Sequence, residues 1–199
     1  MLSNQIRALA QTFLNSIAGG LSVLGFTPNG LTIIGFVAMC GVAVVLASGN
    51  LVLGGILICV AAIFDALDGS LARLTNRASK FGALLDSTTD RFAEGLLFLG
   101  LLFSYSQRGV TFAAYLIYLA LLGSLMVSYA RARAEGIGVE CNEGLFTRFE
   151  RMTLLVLGLI LTFVFGDVSI FAVLAIIAIF ANITAVQRIW LVYRATRGN

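Results

Sequence analysis

Long apolar segments fill most of this 199-residue chain and confine its charged residues to short clusters. Hydrophobic residues make up 59% of the sequence and charged residues only 12%, whereas about 25% of residues in a soluble domain are charged. A membrane-spanning helix needs roughly 20 apolar residues and must satisfy its own backbone hydrogen bonds. The sequence therefore predicts an all-α integral membrane protein with six transmembrane helices. The six apolar segments are Leu31–Ala47, Leu51–Phe64, Phe81–Phe103, Val110–Tyr129, Met152–Phe165 and Val168–Val186.

A single domain over residues 1–199 is predicted, with the six-helix bundle at 28–194. Before it, Ile6, Leu9, Phe13 and Ile17 recur about one helical turn apart. This spacing predicts an amphipathic helix over residues 1–20. Such a helix lies either in the membrane interface or against the bundle, and the sequence leaves both arrangements open.

The lysines and arginines are distributed unevenly between the two predicted sides of the membrane. Eleven of the thirteen lie at one side, while the opposite connectors carry only Arg108 and the third segment holds Arg91. Cytoplasmic loops are enriched in Lys and Arg, so this distribution predicts a multi-pass protein of the plasma membrane with both termini in the cytoplasm. The eleven are Arg7, Arg73, Arg77, Lys80, Arg131, Arg133, Arg148, Arg151, Arg188, Arg194 and Arg197.

The stretch FDALDGSLARLTNRASKFGALLDSTTDR, at 64–91, places four aspartates between two apolar segments. Asp65 and Asp68 are three residues apart, and Asp86 and Asp90 are four apart, so each pair shares a helix face. Carboxylates crowded in a partly dehydrated cleft repel one another unless a cation neutralises them. The chain has no histidine and no CxxC pair, and all-oxygen ligation favours Mg²⁺ or Mn²⁺ over Zn²⁺.

An ion-pair network is the structural alternative for these aspartates, with partners at Arg73, Arg77, Lys80 and Arg91. Ionisable residues inside membrane helices more often mark a functional site. A cation transporter or channel is a second functional reading, but it would require acidic residues throughout the membrane depth.

Small residues accompany the aspartates on the same helix faces. Gly69, Ala72 and Gly82 leave room for a bulky ligand, and Arg73 lies one turn after Gly69, where it can meet a phosphate.

The complete spacing, D-x₂-D-G-x₂-A-R-x₈-G-x₃-D-x₃-D, resembles the signature of the CDP-alcohol phosphotransferase family. All eight fixed positions are met within 26 residues. The segment TPNGLTIIG at 27–35 is similar to the start of the family's first membrane helix, and the six predicted spans agree with the family's fold.

This resemblance implies a binding site for two divalent ions, Mg²⁺ or Mn²⁺, at Asp65, Asp68, Asp86 and Asp90, with Asp90 also the general base. The implied reaction transfers the phosphatidyl group of CDP-diacylglycerol to a soluble polyol phosphate and releases CMP. A homodimer is also implied, and no nucleic-acid partner is expected. The residues assigned to the CDP-lipid are Asn29, Gly30, Leu31, Thr32, Asp65, Asp68, Gly69, Ala72, Arg73, Ser79 and Gly82.

The stretch SYARARAEGIGVECNEGLFTRFER, at 128–151, carries four further arginines. Guanidinium groups bind phosphate well, so Arg131, Arg133, Arg148 and Arg151 are predicted to hold the phosphate of the acceptor. Ordinary positive-inside anchoring is the alternative.

The same stretch and DSTTDR, at 86–91, resemble the bacterial phosphatidylinositol-phosphate synthases, which implies 1D-myo-inositol 3-phosphate (L-myo-inositol 1-phosphate) as acceptor. Arg131 stands where many relatives carry Lys, and Phe149 where Pro is expected. These departures leave glycerol 3-phosphate, and hence phosphatidylglycerophosphate synthesis, as an alternative. Glu94 continues the Asp86–Asp90 stripe and either bonds polyol hydroxyls or neutralises a nearby cation.

Overall fold

The computed structural model describes residues 2–141, 144 and 146–197, with side chains from residue 11 onward. Within these residues the secondary structure consists of seven α-helices. They are α1 (Leu2–Val23), α2 (Pro28–Ala47), α3 (Leu51–Leu74), α4 (Lys80–Gln107), α5 (Thr111–Gly136), α6 (Arg148–Phe165) and α7 (Asp167–Thr196).

The six predicted apolar segments correspond to α2 through α7. Four of the described helices, α2, α3, α5 and α7, are long and apolar enough to cross a membrane. The other two, α4 and α6, carry charged residues in their N-terminal parts, at Asp86–Glu94 and Arg148–Arg151. The predicted all-helical character is therefore confirmed, and at least these four helices have the length and hydropathy of membrane spans.

Local sequence signals explain several helix boundaries. The single proline of the chain, Pro28, is the first residue of α2, where its missing N–H is not needed. The Thr27 hydroxyl accepts a hydrogen bond of 3.1 Å from the Gly30 N–H and so caps that helix. Gly49 ends the turn between α2 and α3 with a φ of 86°, a left-handed conformation that favours glycine.

The chain forms two compact units that interleave along the sequence. The first unit comprises Met1–Val42 and Leu57–Leu96. Its core is formed by Ala18 from α1, Leu31 from α2, and Leu67 and Leu71 from α3. Unit 1 therefore contains the whole aspartate-rich stretch of α3 and α4.

Within unit 1, helix α1 packs against α2 and α3 through residues next to the predicted apolar face. Ala18 is fully buried, and Leu14 and Leu21 pack against the same core. Phe13 and Ile17, from the predicted apolar face, are 66% and 36% exposed. The side chains of Ile6, Leu9 and Arg7 lie outside the described residues. The second half of α1 thus packs on α2 and α3, while its exposed apolar face fits contact with lipid.

The second unit comprises Ala43–Ile56 and Leu97–Asn199. Helices α5 and α7 approach closely at Gly123, because a Cβ there would lie only 2.6 Å from the Nδ2 atom of Asn182. That Asn182 nitrogen donates hydrogen bonds to the carbonyls of Leu119 (3.0 Å) and Ala178 (2.7 Å). A small residue at the crossing and a polar side chain bridging it are typical of packed membrane helices.

A polar cluster in unit 2 connects the end of α4, the α4–α5 turn and the start of α7. The Tyr105 hydroxyl donates a 2.9 Å hydrogen bond to Asp167, and Arg108 forms an ion pair with the same carboxylate. This hydrogen-bonded carboxylate raises the pKa of Arg108 above its ordinary value. A cavity of about 530 Å³ lies beside the pair, lined also by Asn50 and Thr162. The cluster ties the α4–α5 turn to the start of α7.

Candidate active site

Three of the four predicted metal ligands lie together in unit 1. Asp65, Asp68 and Asp86 each offer a carboxylate oxygen, and these three oxygens lie within 4.8 Å of one another. Asp65 is exposed, Asp86 half-buried and Asp68 buried. Carboxylates at this separation can share one hard divalent cation, so the described geometry fits the predicted donor set.

Helix periodicity explains why Asp65 and Asp68 lie together, and the turn between α3 and α4 explains how Asp86 joins them. Asp65 and Asp68 lie on one face of α3, whose polar C-terminal part continues the apolar segment without a break. The chain then turns at residues 75–79 and starts α4, where Ser79 accepts a 3.0 Å hydrogen bond from the Gly82 N–H. Asp86 follows one turn after Gly82 on the same face.

A hydroxyl group fixes the orientation of the buried carboxylate. The Thr32 Oγ1 atom donates a hydrogen bond of 2.6 Å to Oδ2 of Asp68 and lies 3.1 Å from the Pro28 carbonyl. Outer-shell hydrogen bonds of this kind orient metal ligands and tune their affinity. Thr32, predicted to contact the CDP-lipid, therefore also supports the carboxylate cluster.

Asp90 lies one helical turn after Asp86 on α4 and is not part of the 4.8 Å cluster in the described residues. Its Oδ2 atom is 3.4 Å from Nη2 of Arg91, and its side chain is 14% exposed. This contact is one of the ion pairs that the structural alternative requires. The roles of Asp90 as metal ligand and general base stay predictions.

Three of the residues assigned to the CDP-lipid lie close together around Gly82. A Cβ at Gly82 would lie 3.0 Å from Oδ1 of Asn29 and 3.1 Å from Oγ of Ser79. The start of α2 and the start of α4 therefore present polar atoms around a position without a side chain. Leu31, by contrast, has its side chain in the unit 1 core, so a contact with the lipid would come from its backbone.

The Arg73 side chain lies beside Gly69, another glycine assigned to the CDP-lipid. Its Nη1 atom is 3.5 Å from the place of a Cβ on Gly69, and its Nη2 atom donates to Ser70 at 3.3 Å. Ala72, the residue before Arg73, is half-buried. Gly30, also assigned to the CDP-lipid, lies next to the Thr27 hydroxyl that caps α2. The guanidinium of Arg73 thus lies over the side-chain position that Gly69 leaves empty, where it can meet a phosphate.

The predicted acceptor arginines all belong to unit 2. Arg131 and Arg133 are exposed near the end of α5, and Arg131 forms a 2.8 Å ion pair with Glu135. On α6, Arg151 is 1% exposed, whereas Arg148 is half-buried. The Glu150 carboxylate accepts hydrogen bonds from the N–H (2.8 Å) and hydroxyl of Thr147, which fixes the start of α6.

Arg188, which the sequence predicts only as one of the cytoplasmic cations, is a further site candidate. It is 3% exposed on α7, and its Nη1 atom donates a 2.7 Å hydrogen bond to the Val127 carbonyl. Its guanidinium is repelled by the charges of Arg131 and Arg151 and attracted by that of Glu135. The available signal was a single arginine about two turns before the end of α7, after a long segment of the helix that carries no charge beyond Asp167.

Together these features define a class of protein. An all-helical chain with membrane-length helices, a carboxylate cluster, and glycine and arginine residues suited to phosphate binding has the components of a membrane-embedded phosphotransferase. The chain belongs to the CDP-alcohol phosphatidyltransferase family, whose sequence profile matches residues 26–191.

Named relatives are similar over nearly the whole chain. The archaetidylinositol phosphate synthase of Pyrococcus horikoshii is 40% identical over 192 residues, covering 96% of this chain and 95% of the relative. The crystal structure of Mycobacterium tuberculosis phosphatidylinositol phosphate synthase with CDP-DAG bound has a TM-score of 0.84 and 32% identity, covering 90% and 93% of the two chains. The structure of that synthase with manganese and citrate has a TM-score of 0.83 and 31% identity, covering 90% and 88%.

The predicted family and enzyme class are therefore confirmed. This chain is a membrane enzyme of phospholipid biosynthesis, a CDP-alcohol phosphatidyltransferase.

Proposed function

We propose that this enzyme transfers the phosphatidyl group of CDP-diacylglycerol to 1D-myo-inositol 3-phosphate and forms phosphatidylinositol phosphate and CMP. The observation that carries the proposal is the approach of the Asp65, Asp68 and Asp86 carboxylate oxygens to within 4.8 Å of one another. The relatives named above, which are inositol phosphate lipid synthases, support the choice of acceptor.

The carboxylate cluster is the proposed metal site. Its donors are all oxygen atoms, which suits Mg²⁺ or Mn²⁺, and manganese accompanies citrate in the M. tuberculosis synthase structure. Asp65, Asp68 and Asp86 would hold one ion, and Asp90 would complete a site for a second. The bound ions would supply Lewis acidity and neutralise the charge on the diphosphate.

Residues of unit 1 bind the donor lipid in this proposal. The polar atoms of Asn29 and Ser79 around Gly82 fit hydrogen bonds to the cytidine monophosphate part. The Arg73 guanidinium beside Gly69 fits a charge-assisted bond to a phosphate oxygen. Gly69 and Gly82 matter because a larger side chain would occupy the space of the ligand.

Asp90 is the proposed general base. Its carboxylate removes the proton from the acceptor hydroxyl, whose oxygen then forms a bond to the β-phosphorus of the donor. The bond between that phosphorus and the bridging oxygen breaks, and CMP leaves with the electron pair. Positioning and charge neutralisation are sufficient for such a transfer, so no covalent enzyme intermediate is needed.

The arginines of unit 2 bind the acceptor phosphate. Arg131, Arg133, Arg148 and Arg151 are the predicted set, and we add Arg188 because it is buried and interacts electrostatically with two of them. Guanidiniums that repel one another in a partly dehydrated place are stabilised by a bound dianion.

The membrane arrangement completes the proposal. We propose that α4 and α6 also span the bilayer, giving six spans in one domain, and that the exposed face of α1 lies in the interface. The cation-rich connectors, both termini and the active site face the cytoplasm of a plasma-membrane protein. The homodimer implied by the family resemblance remains a prediction.

A competition assay tests the function. The purified enzyme in liposomes is given CDP-diacylglycerol, a divalent metal, and equal concentrations of inositol phosphate and glycerol 3-phosphate. We expect the inositol phosphate lipid to dominate, with one CMP released per product. A dominant glycerophosphate product would reassign the acceptor, and absence of CMP release with both acceptors would overturn the proposal. A parallel assay with an ether-linked CDP-lipid defines the donor, because one relative is an archaetidylinositol phosphate synthase.

A further inference from the structure

The backbone of Gly144 lies directly against the side chain of Arg188. A Cβ at residue 144 would lie 3.0 Å from Nη2 and 3.1 Å from Nε of Arg188, and 3.2 Å from Cγ2 of Thr184. Contacts this short are rare for a real Cβ atom. A side chain at residue 144 would therefore require its neighbours, Arg188 first, to shift by a few tenths of an ångström.

The same guanidinium is held from a second element. Its Nη1 atom donates the 2.7 Å hydrogen bond to the Val127 carbonyl of α5, and the residue is 3% exposed. Arg188 is thus fixed between the carbonyl of one helix and the backbone of Gly144. A long side chain that normally samples many rotamers has been restricted to one orientation.

We propose that Gly144 is a positioning residue for acceptor binding, acting through the orientation of Arg188. The inference rests on the proposed function, in which Arg188 joins Arg131 and Arg151 at the acceptor phosphate. Arginine binds phosphate through paired N–H groups in a fixed fork, so its orientation determines how many of these bonds can form.

A substitution at Gly144 affects the guanidinium more readily than the fold. The crowded atoms Nη2 and Nε belong to the outer part of an extended side chain, whereas Thr184 belongs to the rigid α7 helix. A shift of the guanidinium by a few tenths of an ångström therefore relieves the two shortest contacts of an added methyl group and leaves only the 3.2 Å contact with Thr184. Misplacement of a binding group on this scale weakens substrate positioning even where stability is retained.

The test compares Gly144→Ala with Gly136→Ala. Gly136 is the last residue of α5 and has no atom within 4 Å of its added Cβ, so it is a matched control. We expect Gly144→Ala to raise the KM for the phosphorylated acceptor about fivefold, as expected for one weakened charge-assisted hydrogen bond. The KM for CDP-diacylglycerol and the melting temperature should stay unchanged, and Gly136→Ala should resemble the wild type in all three.

A double-mutant cycle with Arg188→Lys tests whether Gly144 changes the acceptor KM through Arg188. Lysine keeps the charge but lacks the planar fork that Gly144 contacts, so Gly144→Ala should add little in that background. An unchanged acceptor KM in Gly144→Ala would overturn the inference. It would also be overturned by an equal rise of both KM values, or by an effect of the same size in the Arg188→Lys background.

The wild-type enzyme separates this inference from the proposed function. If the wild type prefers another phosphorylated acceptor, the acceptor assignment fails and the Gly144 comparison is made with the preferred one. If the wild type transfers to inositol phosphate and Gly144→Ala does not change its KM, only the inference fails.

Discussion

The Thr32 hydroxyl donates a hydrogen bond of 2.6 Å to the buried carboxylate of Asp68. The two residues are 36 positions apart in the sequence, so this bond fixes the N-terminal part of α2 to the polar end of α3. A carboxylate that accepts such a bond is held in one rotamer and keeps its other oxygen available for a cation. The bond links the segment assigned to the donor lipid with the proposed metal site.

Replacing Thr32 with valine should weaken activation by metal. Valine keeps the branched shape but removes the hydroxyl, and loss of an outer-shell partner typically reduces metal affinity about tenfold or more. We expect the Mn²⁺ concentration for half-maximal CMP release to rise by about that factor. Thr32→Ser retains the hydroxyl and should stay near the wild type. Equal metal dependence in Thr32→Val and wild type would show that the bond does not support the metal site.

Replacing Asp90 with asparagine should remove the proposed base while keeping the size and shape of the side chain. General-base catalysis contributes about 10²- to 10⁴-fold to rate, so kcat at saturating metal and CDP-lipid should fall by a factor in that range. Single-turnover CMP release measures the chemical step. Near-normal turnover of Asp90→Asn would assign the base elsewhere and leave Asp90 with its neighbour Arg91.

Helix packing in unit 2 should depend on Gly123. Its Cβ would collide with Asn182 at 2.6 Å and with Ala181 at 2.9 Å, and overpacking of this kind costs about 1–3 kcal/mol. We expect Gly123→Ala to lower the melting temperature of the detergent-solubilised protein. Gly95→Ala, where nothing lies within 4 Å of an added Cβ, is the control and should not lower it. Equal melting temperatures for the two variants would contradict the close crossing of α5 and α7.

The proposed topology can be tested at the two ends of α3. In a variant without native cysteines, Asn50→Cys and Arg77→Cys place one exposed thiol in the turn before and the turn after this helix. A membrane-impermeant maleimide should label position 50 in intact cells and position 77 only after permeabilisation. The opposite labelling pattern would place the carboxylate cluster outside the cytoplasm.

The aspartate cluster was accessible to sequence reasoning because helix periodicity places residues three or four apart on one face. A short turn then brings the two faces of α3 and α4 together, which accounts for Asp65, Asp68 and Asp86. The bond from Thr32 was not predictable, since it depends on the register between α2 and α3.

Two further features depend on tertiary packing and were not predictable from the sequence. On α1, the sequence left open whether the predicted apolar face meets lipid or the bundle, and it did not reveal that Ala18, Leu14 and Leu21 pack in the core while Phe13 is exposed. Arg188 resembled a cytoplasmic anchor, and its burial follows from the Val127 carbonyl and Gly144 backbone, which no local pattern reveals.

The most direct test of the central claim is the metal dependence of transfer in Asp86→Asn. The purified wild type should release CMP and form phosphatidylinositol phosphate only with Mg²⁺ or Mn²⁺, and chelation should stop the reaction reversibly. In Asp86→Asn, Mn²⁺ binding measured by electron paramagnetic resonance and transfer should both be lost. Transfer by the chelated wild type, or full Mn²⁺ binding and turnover by Asp86→Asn, would contradict the account.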